Sequence, residues 1–277
     1  ATRIGADCAV AVGGGSTMGL GKAIALGTGL SIVAIPTTYA GSEMTPIYGI
    51  TKEGDKTTGR DARVLPRTVI YDPELSYALP LPLSVTSGIN AMAHAAEGLY
   101  APDRNPVTDF MAQQGIAALG RAISALARLT CVETNELRIA RTEALYGAWL
   151  CGSVLGNASM GLHHKLCHTL GGSFGLPHAE THTVVLPHAL AYNAPFAPEA
   201  MQRISEALHA DNAVQAVFDL AQRAGAAMSL REHGLREPDL DRVCELALRN
   251  PYPNPRRFEK SSLRRLLQRA YEGLRPD

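Results

Sequence analysis

Apolar positions change their period once along this chain. Before residue 80 they come in short runs, each closed by a turn: "CAVAV" (8–12) runs into "GGGST" (13–17), "SIVAIP" (31–36) into "TTYAGSEMT", and "RTVIYDP" (67–73) ends at Asp-Pro. "IYGIT" (47–51) is a weaker fourth run. Between the first two lies "MGLGKAIALGTG", whose Ala, Ile and Leu suit a helix closed by Gly29. Strands alternating with short helices predict a parallel sheet. After "LPLPLS" (79–84) the runs become Ala- and Leu-rich with helical spacing, as in 107–129, 137–156, 198–209, 213–227, 239–250 and 261–274. The predicted fold class is therefore α/β plus all-α: a parallel-sheet domain over 1–80 and a helical domain over 81–277. No internal repeat or low-complexity linker separates them, so the boundary is a switch of class and not a tether.

The sheet is short of strands. A doubly wound nucleotide-binding sheet uses about six, whereas residues 1–80 supply three or four, so the N-terminal domain reads as incomplete, with the chain starting inside it. Composition narrows the partners. With 277 residues, 46% apolar and zero formal net charge, the chain can bury two cores and has no basic excess to recruit nucleic acid. The longest apolar stretch (23–36) ends in Pro after 14 residues and is too short for a bilayer. Five scattered cysteines form no CxxC pair. They read as reduced thiols, and a cytoplasmic protein without membrane contact is expected.

Three stretches carry chemistry. In "VAVGGGSTMGLGK" three glycines follow a strand and precede a helix, where backbone amides can approach a pyrophosphate. The spacing matches neither G-x-G-x-x-G nor GxxxxGK[ST], so a tight strand-to-helix turn is an equal reading. "PTTYAGSEMT" (36–45) adds a loop of hydroxyls after the next strand, where open α/β sheets bind ligands. In "TSGINAMAHAAEGLY" (86–100), Asn90, His94 and Glu97 share one helical face; a satisfied core histidine competes with a site. Residues 161–188 hold six of the nine histidines. His164 and His168 stand four apart on one face, Gly171 and Gly172 are expected to end that helix, and His178 opens the next. This resembles metal-ligand spacing. Lys165 occupies the position a zinc protease needs for Glu, and no G-x-S-x-G elbow occurs, so hydrolase chemistry has no anchor. His163, His182 and His188 are expected to face other directions, as structural residues or as supports behind the site and not as catalytic ones.

"GGGSTMGLGKAIAL", "PTTYAGSEMTPIYGIT", "TSGINAMAHAAEGLYAP", "HHKLCHTLGGSFGLPHAETHTVVLPHALAYN" and "NPYPNPR" resemble the iron-containing alcohol dehydrogenase family, and within it the maleylacetate reductases. The resemblance runs over essentially the whole chain. It implies an α/β dinucleotide domain, a helical domain and an active site between them. It also implies further N-terminal strands, which would make this chain a fragment or a shortened product. The family's metal ligands, one Asp and three His, fall on Asn90, His94, His164 and His178, with His168 beside nicotinamide and substrate.

Asn90 departs from the dehydrogenase pattern and removes a charge from the site, so a metal is expected not to be required; His94, His164 and His178 are the alternative metal set. NADH or NADPH is the implied cofactor, lined by Gly13, Gly14, Gly15, Ser16, Thr37, Thr38 and Ser42, with Lys22 added. The implied reaction reduces the C=C bond of a dicarboxylate, maleylacetate, to 3-oxoadipate, with His94, His164, His168, His178 and Asn90 as the pocket. Arg60, Arg63 and Arg256 are candidates for carboxylate recognition, and a homodimer is implied. The alternatives are a metal-dependent alcohol dehydrogenase and an inactive fragment.

Overall fold

The first strand, β1 (Cys8–Gly13), leads through a glycine turn into α1 (Gly15–Thr28), and the chain returns as β2 (Ser31–Pro36), parallel to β1 with Gly13 opposite Pro36. The structure is a computed structural model and describes residues 1–52, 55–129 and 134–277. Met18 and Ala25 of α1 pack on Ala11, Ile32 and Ala34 of the strands, which closes one face of the sheet. The fourth apolar run does not join it. Residues Ile47–Lys52 (β3) pair antiparallel with Asp55–Arg60 (β4) as a separate two-stranded ladder. "DKTTGR" has no apolar alternation in its sequence to announce the strand. The third parallel strand, β5 (Thr68–Val69), is only two residues long and lies beside β2, giving the order β1-β2-β5.

Helices follow from residue 81: α2 (Leu81–Gly98), α3 (Pro106–Leu126), α4 (Asn135–Asn157), α5 (Leu162–Phe174), α6 (His178–Asn193), α7 (Pro198–Ala207), α8 (Ala213–Arg223), α9 (Leu240–Arg249) and α10 (Lys260–Glu272). A helix buried all round belongs at the centre. That is α2, enclosed from Val85 to Gly98 except at Ser87 and packed against α3, α4 and α6. One apolar core gathers α2, α3, α4 and α8; a second gathers α5, α6, α9 and α10. Among the described residues no helix is long and apolar enough to cross a membrane.

Helix α5 runs through Gly171 and Gly172, contrary to expectation, and ends at Gly175. Gly175 has φ 70°, and its N–H donates to Leu170 O. The end falls where a left-handed residue is available and Pro177 follows, not at the first glycine in sequence. The α/β part is stapled to the helices by Arg141 of α4, which is 4% exposed. Its guanidinium donates to Tyr39 Oη at 2.9 Å, Ser84 Oγ at 2.5 Å and Leu79 O at 2.6 Å. Tyr39 belongs to the loop after β2, so this buried cation sets where that loop lies.

Candidate active site

Two loops meet at the carboxyl ends of β1 and β2. Gly13 adopts φ 148°, and a Cβ there would stand 2.4 Å from Thr17 Oγ1. Only glycine suits that turn. Helix α1 begins without a side-chain cap and without an acidic residue in its first turn, so its leading amides are available to an anion. Thr37 N–H donates to Gly13 O at 3.0 Å, and a Cβ on Gly14 would lie 3.1 Å from Thr38 Cγ2. Gly13, Gly14, Gly15 and Ser16 thus adjoin Thr37 and Thr38 as one polar shelf, with Ser42 further along the second loop.

Lys22 has a different role from the one the sequence suggested. It is 1% exposed, and its ammonium donates to Ser42 O (2.7 Å), Thr45 O (2.9 Å), Thr45 Oγ1 (2.9 Å) and Ile47 O (2.7 Å). Committed to four acceptors, it holds the loop and not the dinucleotide. Burial lowers its pKa to about 8, against the opposing charge of Glu43. Burial likewise raises the pKa of Glu43, whose Oε1 accepts from Tyr71 Oη at 2.9 Å.

The shelf touches the histidines at Gly41. With φ 77°, this residue is so placed that a Cβ would lie 3.1 Å from Gly152 Cα of α4 and 3.4 Å from His94 Nδ1 of α2. Across from it, α2 presents Asn90, His94 and Glu97, which are 2%, 3% and 0% exposed. Glu97 turns away from the open side and collects the start of α5. Its Oε2 accepts from Gly161 N–H at 2.7 Å and His164 N–H at 3.3 Å, and its Oε1 from His163 N–H at 2.8 Å. The same Oε2 lies 2.7 Å from His164 Nδ1. One carboxylate therefore caps α5 from another helix and fixes the His164 ring with Nε2 turned outward.

The rings of His94 and His164 are 5.1 Å apart between centroids, and His168 lies 5.8 Å from His164. The His178 ring lies 4.3 Å from that of His182, tilted by 54°, and His182 is itself 5.1 Å from His164, so the four predicted histidines converge, with Asn90 one turn before His94 on α2. His163 and His182 converge with them, which corrects the expectation that they face elsewhere. Their ring nitrogens are 2.8 Å apart. His182 stands four residues after His178 and shares its face, and the packing of α5 on α6 brings His163 to it. Burial, reinforced by the neighbouring imidazoles, depresses the pKa of His94, His163 and His182 well below the usual histidine range. They are neutral at physiological pH. Cys167 completes a group with His163 and His182 whose ligand atoms lie within 4.8 Å, yet burial raises its thiol pKa well above normal and the two nitrogens already bond each other. His188 is buried near Arg269, and burial lowers its pKa to about 4.

Asn90 Oδ1, His94 Nδ1 and His164 Nε2 are buried without hydrogen-bond partners. Buried polar atoms are rarely left so unless a ligand takes them. An amide oxygen, imidazoles and a carboxylate behind one of them fit a divalent cation, with Glu97 returning the negative charge that Asn90 lacks. The arginines nominated for carboxylate recognition are engaged elsewhere. Arg60 binds Gly156 O, Arg63 chelates Asp61, and Arg256 lies over the rings of Tyr192 and Phe196. Lys165 of α5 lies over the ring of Tyr252, and Tyr252 Oη is 3.1 Å from His168 Nδ1. Neither was nominated, although Lys165 stands directly after His164.

Residues 1–73 match the family described as iron-containing alcohol dehydrogenase, and residues 84–271 match its C-terminal region. The chain belongs to the iron-containing alcohol dehydrogenase family. A maleylacetate reductase of Burkholderia cepacia is 61% identical over 277 residues, covering 100% of this chain and 77% of that protein. The crystal structure of maleylacetate reductase from Agrobacterium tumefaciens superposes with a TM-score of 0.92 at 54% identity, over 99% of this chain and 77% of that one. That of the enzyme from Rhizobium sp. strain MTP-10005 gives 0.92 at 53% identity, over the same shares. The iron-containing alcohol dehydrogenase family is NAD(P)-dependent and its members usually bind a metal. The expectation that a metal is not required gains no support from this, and the unpartnered donors argue against it.

Proposed function

We propose that this protein reduces the C=C bond of maleylacetate with NADH or NADPH to give 3-oxoadipate, a step of aromatic-compound degradation. One observation carries the reading: the shelf suited to a dinucleotide adjoins, through Gly41, the buried His94 of the histidine cluster, whose face on α2 carries an amide, Asn90. The relatives named maleylacetate reductase support it over the full length of the chain. Four free cysteines among the described residues suit a reducing compartment, so the reading includes a cytoplasmic protein, and a homodimer follows from the same resemblance.

Maleylacetate is 4-oxohex-2-enedioate, with the C2=C3 bond conjugated to the C4 ketone. The dinucleotide, when bound, supplies hydride; a divalent cation held by Asn90, His94, His164 and His178 would supply a Lewis acid. The protein's own groups do the remaining work. The Gly13–Ser16 amides anchor phosphate, and Gly41 sets the distance from that anchor to His94. Negative charge developing on the C4 oxygen would be met by the pocket's cation site and by imidazole N–H groups around it. His168 is exposed at the mouth and bonded to Tyr252, so it is placed to pass a proton from solvent toward C3. An amide at position 90 keeps an extra carboxylate away from a dianionic substrate.

The test is dinucleotide oxidation dependent on maleylacetate, with 3-oxoadipate formed in equal amount by mass spectrometry. Oxidation of simple alcohols without turnover of maleylacetate would overturn the reading.

A further inference from the structure

A dianion needs cations, and the three arginines nominated by the sequence are engaged elsewhere. Lys165 reaches the histidine cluster through Tyr252, whose hydroxyl lies 3.1 Å from His168 Nδ1. It lies three residues before His168 on α5, with Nζ 5.6 Å from the centre of the Tyr252 ring. Its side chain is partly buried, and among the described residues no carboxylate forms an ion pair with it. A partly desolvated ammonium with only an aromatic face for company is suited to an arriving anion.

The ring beneath it is built in. Tyr252 sits between Pro251 and Pro253, which fix the backbone on both sides. Asn254 then ties the segment down: its Nδ2 donates to Asn193 Oδ1 and Arg256 O at 2.7 Å each, and its Oδ1 accepts from Asn193 Nδ2 at 2.9 Å and Leu162 N–H at 3.2 Å. The rim is therefore anchored to the start of α5 and the end of α6, the same elements that carry the histidines. Tyr252 Oη, 3.1 Å from His168 Nδ1, joins it to the pocket.

We propose that Lys165 and Tyr252 form the subsite for one carboxylate of the substrate, the ammonium pairing with its charge and the Tyr252 hydroxyl, shared with His168, completing the hydrogen bonding. This rests on the dicarboxylate reading above and adds the residues that select for the second charge. Selection arises because no carboxylate among the described residues pairs with Lys165, so a neutral group there leaves the ammonium without a counter-charge.

Lys165→Met, Lys165→Arg and the parent protein are compared by maleylacetate kinetics, by NADH binding, and by inhibition with adipate and monomethyl adipate. Lys165→Met should raise KM for maleylacetate about tenfold or more with a smaller change in kcat, as expected for loss of a partly buried ion pair. It should leave NADH affinity unchanged, and it should erase the preference for adipate over its monomethyl ester. Lys165→Arg should restore much of that preference. If the parent turns over maleylacetate and Lys165→Met keeps the parental KM and adipate preference, the subsite is wrong while the function stands. If the parent shows neither maleylacetate turnover nor adipate preference, the functional reading fails and the subsite with it.

Discussion

Replacing Glu97 with Gln tests whether one buried carboxylate organises the site. The side chain is fully buried, and its two oxygens take three backbone N–H groups, the His164 ring and the Tyr100 hydroxyl. In Glu97→Gln the amide oxygen can keep the donors now on Oε2. The NH2 group then faces the His163 N–H, 2.8 Å away, and leaves two donors opposed in a dry site. Losing charge assistance and burying a mismatched donor costs about 2–4 kcal/mol. For a chain of this size that is a fall in thermal midpoint of about 5–10 °C, measured by calorimetry or circular dichroism. The His164 ring also loses the partner that holds it, so affinity for Co(II), followed by its visible absorption, should fall about ten- to a hundredfold. A Glu97→Gln protein with parental stability and parental Co(II) affinity would refute the view that this carboxylate caps α5 and orients His164.

Two further outcomes follow from the same geometry. His188 has a folded-state pKa lowered to about 4 from 6.5, so in acid the unfolded chain takes up the proton first and stability falls as pH drops through that window. Urea unfolding should show His188→Leu losing about 2–3 kcal/mol less than the parent between pH 7 and pH 4.5, the other buried histidines accounting for the rest; equal losses would contradict it. In Gly152→Ala the new Cβ would lie 2.8 Å from Gly41 O and 3.0 Å from Gly41 Cα, so the loop must move. That should cost about 1–3 kcal/mol of stability and weaken NADH binding and kcat together, whereas unchanged kinetics would show that the contact does not set the cleft.

Elements whose burial is periodic within one segment were legible from sequence. The strand-glycine-helix unit, the helices after residue 81, and the common face of Asn90, His94 and Glu97 all declare themselves through spacing. What escaped depends on partners distant in the chain. Strand β4 is paired by backbone and lacks apolar alternation; Lys22 was placed along the dinucleotide because its acceptors lie 20–25 residues away. His163 and His182 could be placed only once α5 was packed on α6. Glu97 was visible as a polar residue on a buried face, but its partners are amides 64–67 residues further on. Tyr252 meets His168 across 84 residues, and no local pattern marks that pair.

The contact of Gly41 with Gly152 bears on how this scaffold can be re-engineered. Two backbones packed closely together act as a spacer of fixed length between the Gly13–Ser16 shelf and the histidine cluster. A spacer cannot be lengthened gradually, because even a methyl group on either glycine displaces the other chain. Attempts to admit bulkier substrates by widening the cleft would therefore sacrifice alignment before gaining room. The productive place to vary is the rim at Lys165 and Tyr252, where a side chain can change shape or charge without touching that spacer.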